Sequence, residues 1–283
     1  MPFLENVTRG RGVPRERLEE VAEHYLHFGG VSPINAQNRL LIEHLEQELR
    51  AHSIDLPLYF GNRNWHPFVT DTVRQMEADG VERALVFVTS ALSSYSGCRQ
   101  YREDILRTIE VVGDGAPEFD KIRVFYNHPG FIEAMADHTR AAFAEIPPQR
   151  RDAATLIFTA HSIPEAMAKG CAYELQLAEA SRLVAEAVGR NSYRIAYQSR
   201  SGSPSVPWLE PDILDDLDTL HREGVTDLVV VPIGFISDHM EVLFDLDHEA
   251  KEHAEHLGMT LARAATAGVH PAFITAIREL IVE

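Results

Sequence analysis

The chain is poor in cysteine, in positive charge and in long apolar runs. Its 283 residues include two cysteines, Cys98 and Cys171, one in each half. Two thiols make no disulfide framework and no four-thiolate zinc site, and their scarcity fits a reducing cytoplasm. No apolar stretch approaches the roughly 20 residues of a membrane span, and the opening "MPFLENVTRGRGVPRER" lacks the apolar core of a signal peptide. A cytoplasmic protein is expected. Lys and Arg total 26 against 43 Asp and Glu, a formal net charge of −17. Such a field repels phosphate backbones and anionic lipid, which argues against nucleic acid as a partner. A dinucleotide fingerprint and a P-loop are also missing, and Ser162 has no nucleophile-elbow pattern around it.

What is present is an ordinary globular composition, 45% hydrophobic and 24% charged. Short apolar runs alternate with amphipathic ones, as strands feeding helices do in an α/β fold. Strands are predicted at Leu56 to Gly61, Ala84 to Ser90, Ile122 to Asn127, Ala154 to Ser162, Tyr193 to Ser199 and Asp227 to Phe235. Their continuous apolar character points to parallel strands covered on both faces. Helical patterns lie at Arg15 to His27, Asn35 to His52, His66 to Ala78, Tyr101 to Val112, Gly130 to Glu145, Glu174 to Val188, Pro211 to Glu223, His239 to Leu257 and Pro271 to Ile281. The stretch "AEIPPQRRDAA", with Pro147 and Pro148, is the candidate linker. It divides the chain into halves of residues 1–150 and 151–283, each with three predicted strands.

Open parallel sheets bind ligands beyond the carboxyl ends of their strands. Two such ends in the second half deliver histidines, His161 in "TAHSIPEAM" and His239 in "ISDHMEVLFDLDHEA". At 100° per residue, Glu241, Asp245, His248 and Glu249 share about a third of a helix, while Val242, Leu243, Leu246 and Ala250 form a neighbouring apolar arc. A solvated acidic face is one reading of this pattern. A site is the other, because the stripe begins where a buried strand ends and His161 lies at another strand end. Histidine with several carboxylates suits a divalent ion such as Fe(II). Arg200, in "QSRSGSPSVPWLEP", could support the acidic helix, and the paired glycines before Ser32 in "HFGGVSPINAQN" could present backbone N–H groups to an anion.

Together, "HFGGVSPINAQNR", "TSALSSYSGCRQYRED", "FTAHSIPEAM", "YQSRSGSPSVPWLEPD" and "VPIGFISDHMEVLFDLDHEA" resemble the ferrochelatase family, in its actinobacterial coproporphyrin III type. The likeness runs in order over nearly the whole chain. It implies a type II chelatase fold, two similar Rossmann-like α/β domains with parallel sheets around a porphyrin cleft. It also implies insertion of Fe(II), as substrate, into coproporphyrin III in heme biosynthesis. By motif, His161 and Glu241 are the catalytic and metal-handling pair. Asp245, Glu249 and His239 form the supporting acidic line, and Ser32 and Tyr101 contact the porphyrin. Arg9, Arg11 and Arg99 are further candidate donors to the substrate's propionates.

The resemblance also marks two departures. Family members begin with an additional apolar strand and a glycine-proline loop, so a misassigned start is expected here. Many actinobacterial relatives carry a cysteine-rich tail holding a [2Fe–2S] cluster; four ligands are needed, and no cluster is expected from two cysteines. A monomer with transient contacts to other heme-pathway enzymes is the expected state. A noncatalytic tetrapyrrole carrier, or a chelatase for protoporphyrin or a sirohydrochlorin, is the alternative.

Overall fold

The computed structural model describes residues 2–8, 14–201 and 205–283. By contact the chain forms two compact units, Met1–Val88 with Cys98–Ile122, and Thr89–Gly97 with Arg123–Glu283.

The first unit holds α1 (Pro2–Val7), α2 (Arg15–His27), α3 (Ile34–Ala51), α4 (Val69–Ala78), β1 (Arg83–Val86), α5 (Gln100–Val112) and β2 (Glu118–Lys121). Strands β1 and β2 pair in parallel, Arg83 opposite Glu118 and Val86 opposite Lys121. On α3, Leu41, Leu45 and Leu49 are buried, the i, i+4 stripe that an amphipathic helix turns to its core. Two predicted strands are corrected here. Leu56 to Gly61 forms no strand; Asn62, just beyond it, makes a single bridge to Phe68. The other strand lies on Glu118–Lys121 instead of Ile122 to Asn127. Apolar content marks what must be buried, and only a ladder partner makes a strand. Ile122 and Phe125 are indeed buried, but outside the ladder.

The second unit holds α6 (Pro129–Glu145), β3 (Thr155–His161), α7 (Glu165–Ala168), α8 (Tyr173–Ala187), β4 (Arg194–Gln198), α9 (Ile213–Arg222) and β5 (Asp227–Val231). After these come α10 (Met240–Val242), a π-helical stretch (Leu243–Ala250), α11 (Lys251–His256), β6 (Thr260–Arg263) and α12 (Pro271–Val282). Its sheet is parallel throughout, ordered β4-β3-β5-β6. Strand β6 is too short, and too polar at its ends, to have stood out by pattern. Although α6 precedes the Pro147–Pro148 linker, it packs on α8, α12, β5 and β6, and so belongs by contact with this unit.

Every residue of β5 is buried, as are Leu156, Ile157, Phe158 and Ala160 of β3. One sheet face packs Ile157, Ala196, Leu228, Val230 and Leu261 against Leu217 and Leu220 of α9 and Val242, Leu246 and Ala250 beyond β5. Burial of such side chains is the main stabilising term, about 1.5–3 kcal/mol for each large one. The buried carboxylate of Asp216 is held by the guanidinium of Arg194 in a two-pronged contact.

The strand order sets the site. From β3 the chain steps outward to β4, then returns past β3 to β5 and on to β6, so the direction of winding reverses between β3 and β5. A crevice opens at such a reversal, at the carboxyl ends of the two strands. His161 ends β3, and residues 232–239 follow β5.

Candidate functional site

His161 is held from both sides of its peptide. Its carbonyl accepts a hydrogen bond from the Tyr173 hydroxyl at 2.9 Å, and its ring Nδ1 contacts the carbonyl of Ser162. A carbonyl only accepts, so Nδ1 carries a proton, and in the neutral ring Nε2 is the atom with a lone pair for a metal ion or a proton. Ser162 is an anchor: its N–H donates to the Gln198 carbonyl at 2.7 Å and its hydroxyl to the Leu209 carbonyl at 2.8 Å. Gly234 brings the post-β5 loop against β3. Its N–H donates to the Thr159 carbonyl at 3.0 Å, and a Cβ there would lie 2.6 Å from the Cβ of Ala160.

His239 caps α10: its Nδ1 accepts the N–H of Glu241 at 3.2 Å. Nε2 therefore bears the proton, 4.0 Å from Glu241 Oε2. Burial lowers the His239 pKa, the carboxylate of Glu241 opposes that, and the proximity of His161 reinforces it. The two strand-end histidines are thus electrostatic neighbours. His239 orients Glu241 and spends its Nδ1 as a cap.

Asp245 lies in the π-helical stretch, where hydrogen bonds run i to i+5 and the 100° spacing no longer applies; such segments are frequent at functional sites. Burial pushes its pKa up to about 7; the Ser199 hydroxyl, which donates to Oδ2, pulls it down, and Glu241 and Glu249 push it further up. Gln198 Nε2 also donates to Asp245 at 3.4 Å and to the Glu241 carbonyl at 3.2 Å, while its buried Oε1 has no partner. Glu249, exposed, is raised by what burial it has, against the charge of His248. Of the predicted acidic line, Glu241 and Glu249 act electrostatically on Asp245. His248 departs from it, pairing with Glu252 at 3.0 Å. Arg200 acts on Asp212, its charge partly offsetting the burial that raises that carboxyl, and Asp212 in turn raises Glu249. No three of the described His, Cys, Asp and Glu side chains are grouped as a ready metal cage.

In the first unit, Ser32 follows Gly29 and Gly30, both at positive φ (82° and 81°), and its Oγ accepts the Ile34 N–H at 3.4 Å. Tyr101, on α5, lies under the guanidinium of Arg63, 4.8 Å from its ring centroid, and Arg63 is itself tied to Asp104. Motif reading missed Arg63, although "GNRNWHP" contains it. Arg99 is paired with Glu103 at 2.9 Å. Arg9 and Arg11 lie outside the described residues.

A doubly wound parallel sheet with a histidine at its switch point belongs to the class of α/β proteins that bind ligands at the carboxyl ends of their strands, and comparison with known proteins gives the family. The ferrochelatase family model matches residues 1–283, so the chain belongs to the ferrochelatase family. It is 57% identical over 291 aligned residues to the coproporphyrin III ferrochelatase of Nocardia farcinica, covering all of this chain and 83% of that protein. It is 56% identical to a ferrochelatase of Rhodopirellula baltica, covering all of this chain and 81% of the relative. Among solved structures, SirB from Bacillus subtilis with Fe3+ superposes with a TM-score of 0.59 at 15% identity, over 87% of this chain and 90% of that one. That likeness places the fold among the type II chelatases. No described helix is long and apolar enough to cross a membrane.

Proposed function

We propose that this chain inserts Fe(II) into coproporphyrin III, with His161 and Glu241 as the groups that handle metal and protons. One observation supports the site assignment: His161 ends β3 at the switch point with its Nδ1 turned to the Ser162 carbonyl, as an electrostatic neighbour of His239, which caps the turn that carries Glu241. Insertion exchanges one M²⁺ for two pyrrole protons, so two acceptors are required. His161 Nε2 takes a proton or ligates the iron, and Glu241 does the complementary work. Asp245, raised to about 7 by burial and coupled to Glu241, would share a proton with it near neutral pH. Ser32 and Tyr101 are proposed to contact the porphyrin, with Arg63 fixing the ring of Tyr101. Iron is substrate here, and Cys98 and Cys171 are too few to ligate an iron–sulfur cluster.

The test is anaerobic addition of Fe(II) and coproporphyrin III, following the Soret band. The wild type should turn over, while His161→Ala and Glu241→Gln should lose about 100-fold or more in kcat and still bind porphyrin. Tight porphyrin binding without insertion by the wild type would make the chain a carrier instead. Full activity in both variants would overturn the residue assignment.

A further inference from the structure

Residues 238–249 carry five carboxylates, Asp238, Glu241, Asp245, Asp247 and Glu249, and a single cation sorts them. Arg263 ends β6, at the same carboxyl edge of the sheet as His161, with its side chain 15% exposed. Its Nε and Nη2 donate to the two oxygens of Asp247, each at 2.7 Å. Nη1 donates to Asp238 at 2.7 Å and to the Ala264 carbonyl at 3.3 Å. This is a planar fork gripping one carboxylate with two prongs and another with a third, a task a point-charge ammonium does not perform.

Asp238 immediately precedes the cap His239, and Asp247 lies within the π-helical stretch, so one guanidinium fixes both ends of the turn that carries Glu241 and Asp245. Among the described residues, neither Glu241, Asp245 nor Glu249 has an Arg or Lys ion-pair partner. The segment thus holds two carboxylates neutralised by a guanidinium and three with no Arg or Lys partner among the described residues.

We propose that Arg263 is a positioning residue for metal delivery: it anchors the π-helical stretch to β6 and withholds Asp238 and Asp247 from the incoming ion, so that divalent metal meets one line of carboxylates. The proposal rests on the reading of Glu241 as a metal-handling group. Without Arg263, Asp238 and Asp247 would each lose the guanidinium that neutralises it, beside His239 and His248, and could form a competing weak site.

The test uses the full chain with Arg263→Gln and Arg263→Lys, and Co²⁺ as the probe metal in the absence of porphyrin. Arg263→Gln should bind at least one extra equivalent of Co²⁺ and show a KM for Fe(II) raised about tenfold, with the KM for coproporphyrin unchanged. Arg263→Lys should fall between the two. Adding Asp238→Asn and Asp247→Asn to Arg263→Gln should abolish the extra equivalent, a rescue that a purely structural role does not give. A folded Arg263→Gln protein with wild-type Co²⁺ stoichiometry and wild-type KM for Fe(II) overturns the proposal. If that variant fails to fold, Asp247→Asn, which leaves the Arg263 to Asp238 contact, carries the test: the KM for Fe(II) must rise, and an unchanged value overturns it. A wild type that inserts no iron defeats the functional reading alone, since the Co²⁺ count needs no turnover.

Discussion

Ser199 donates a hydrogen bond from its hydroxyl to Oδ2 of Asp245 while its own backbone sits in the left-handed region, at φ 63°. A non-glycine residue held there costs about 1–3 kcal/mol, tolerated where the surroundings fix it and its side chain does something a glycine would not. Ser199→Gly relieves the backbone and Ser199→Ala does not, but both remove the donor. Both should therefore move the acid limb of the kcat/KM profile to higher pH, because losing a hydrogen bond to the ionised form raises the Asp245 pKa. An unshifted profile in both variants would exclude Asp245 from the rate-controlling titration.

Asp245 also makes stability depend on pH. Its folded pKa, about 7, stands above the usual carboxylate value, so the folded chain binds this proton more tightly than the unfolded chain does. The group costs nothing below about pH 4; the penalty grows as pH rises to about 7 and is constant above, reaching on the order of 4 kcal/mol. Asp245→Asn should accordingly raise Tm at pH 8 and leave it near wild type at pH 4. Thermal melts at the two pH values decide, and no gain at pH 8 would contradict the burial argument.

Gly234 is set by contact with β3. Alanine there would drive its Cβ to 2.7 Å from the Ala160 Cα, one residue before His161. Gly234→Ala should cost about 1–3 kcal/mol by overpacking and weaken metal insertion by shifting the strand end. Ala160→Gly in the same chain should recover part of both losses in denaturant titrations and rate assays. Simple additivity of the two changes would show that the clash is relieved elsewhere.

His128 and His270 form a reciprocal pair of caps. "HPGF" opens α6 and "HPAF" opens α12. Each histidine Nδ1 accepts a backbone N–H at 3.3 Å, from Gly130 and Ala272, and each Nε2 faces a carboxylate on the other helix. His128 meets Glu279 at 3.6 Å, and His270 meets Asp137 at 3.3 Å. The helices come close enough that a Cβ on Gly130 would reach 2.3 Å from the Ala272 carbonyl oxygen. Burial lowers the His128 pKa, so this cap is fully present above the unfolded value near 6.5 and fades as pH falls through the folded one. His128→Ala should cost about 1 kcal/mol at pH 7.5, whereas His128→Asn should keep the cap and remove its acid sensitivity. Equal acid sensitivity in the Asn variant would assign that sensitivity to other groups.

Much of the second unit was legible in the chain because its strands are apolar from end to end. Parallel burial writes itself into "TLIFTA" and "DLVVV" without needing to know the neighbours. The first unit was less legible. "LPLYFG" has the composition of a strand and forms none, and "EFDK" is a strand with the composition of a turn. Pairing is a property of two segments, and composition reports on one. Among the proposed site residues, His161, His239, Glu241, Asp245 and Glu249 could be picked out because chemistry-bearing residues stood at or just beyond strand ends.

The sequence by itself determined the α/β class, the negative field, the scarcity of thiols and, by motif, the residues proposed for the site. Only the tertiary structure decided which proton each histidine carries, since Nδ1 of His161 meets a carbonyl and Nδ1 of His239 meets an N–H. It also decided which carboxylates are spent. Asp247 lies between Asp245 and Glu249 in the chain, yet Arg263, sixteen residues away, removes it from the line. Spacing along one segment records which groups are near each other, and the partner that neutralises a charge comes from a different strand.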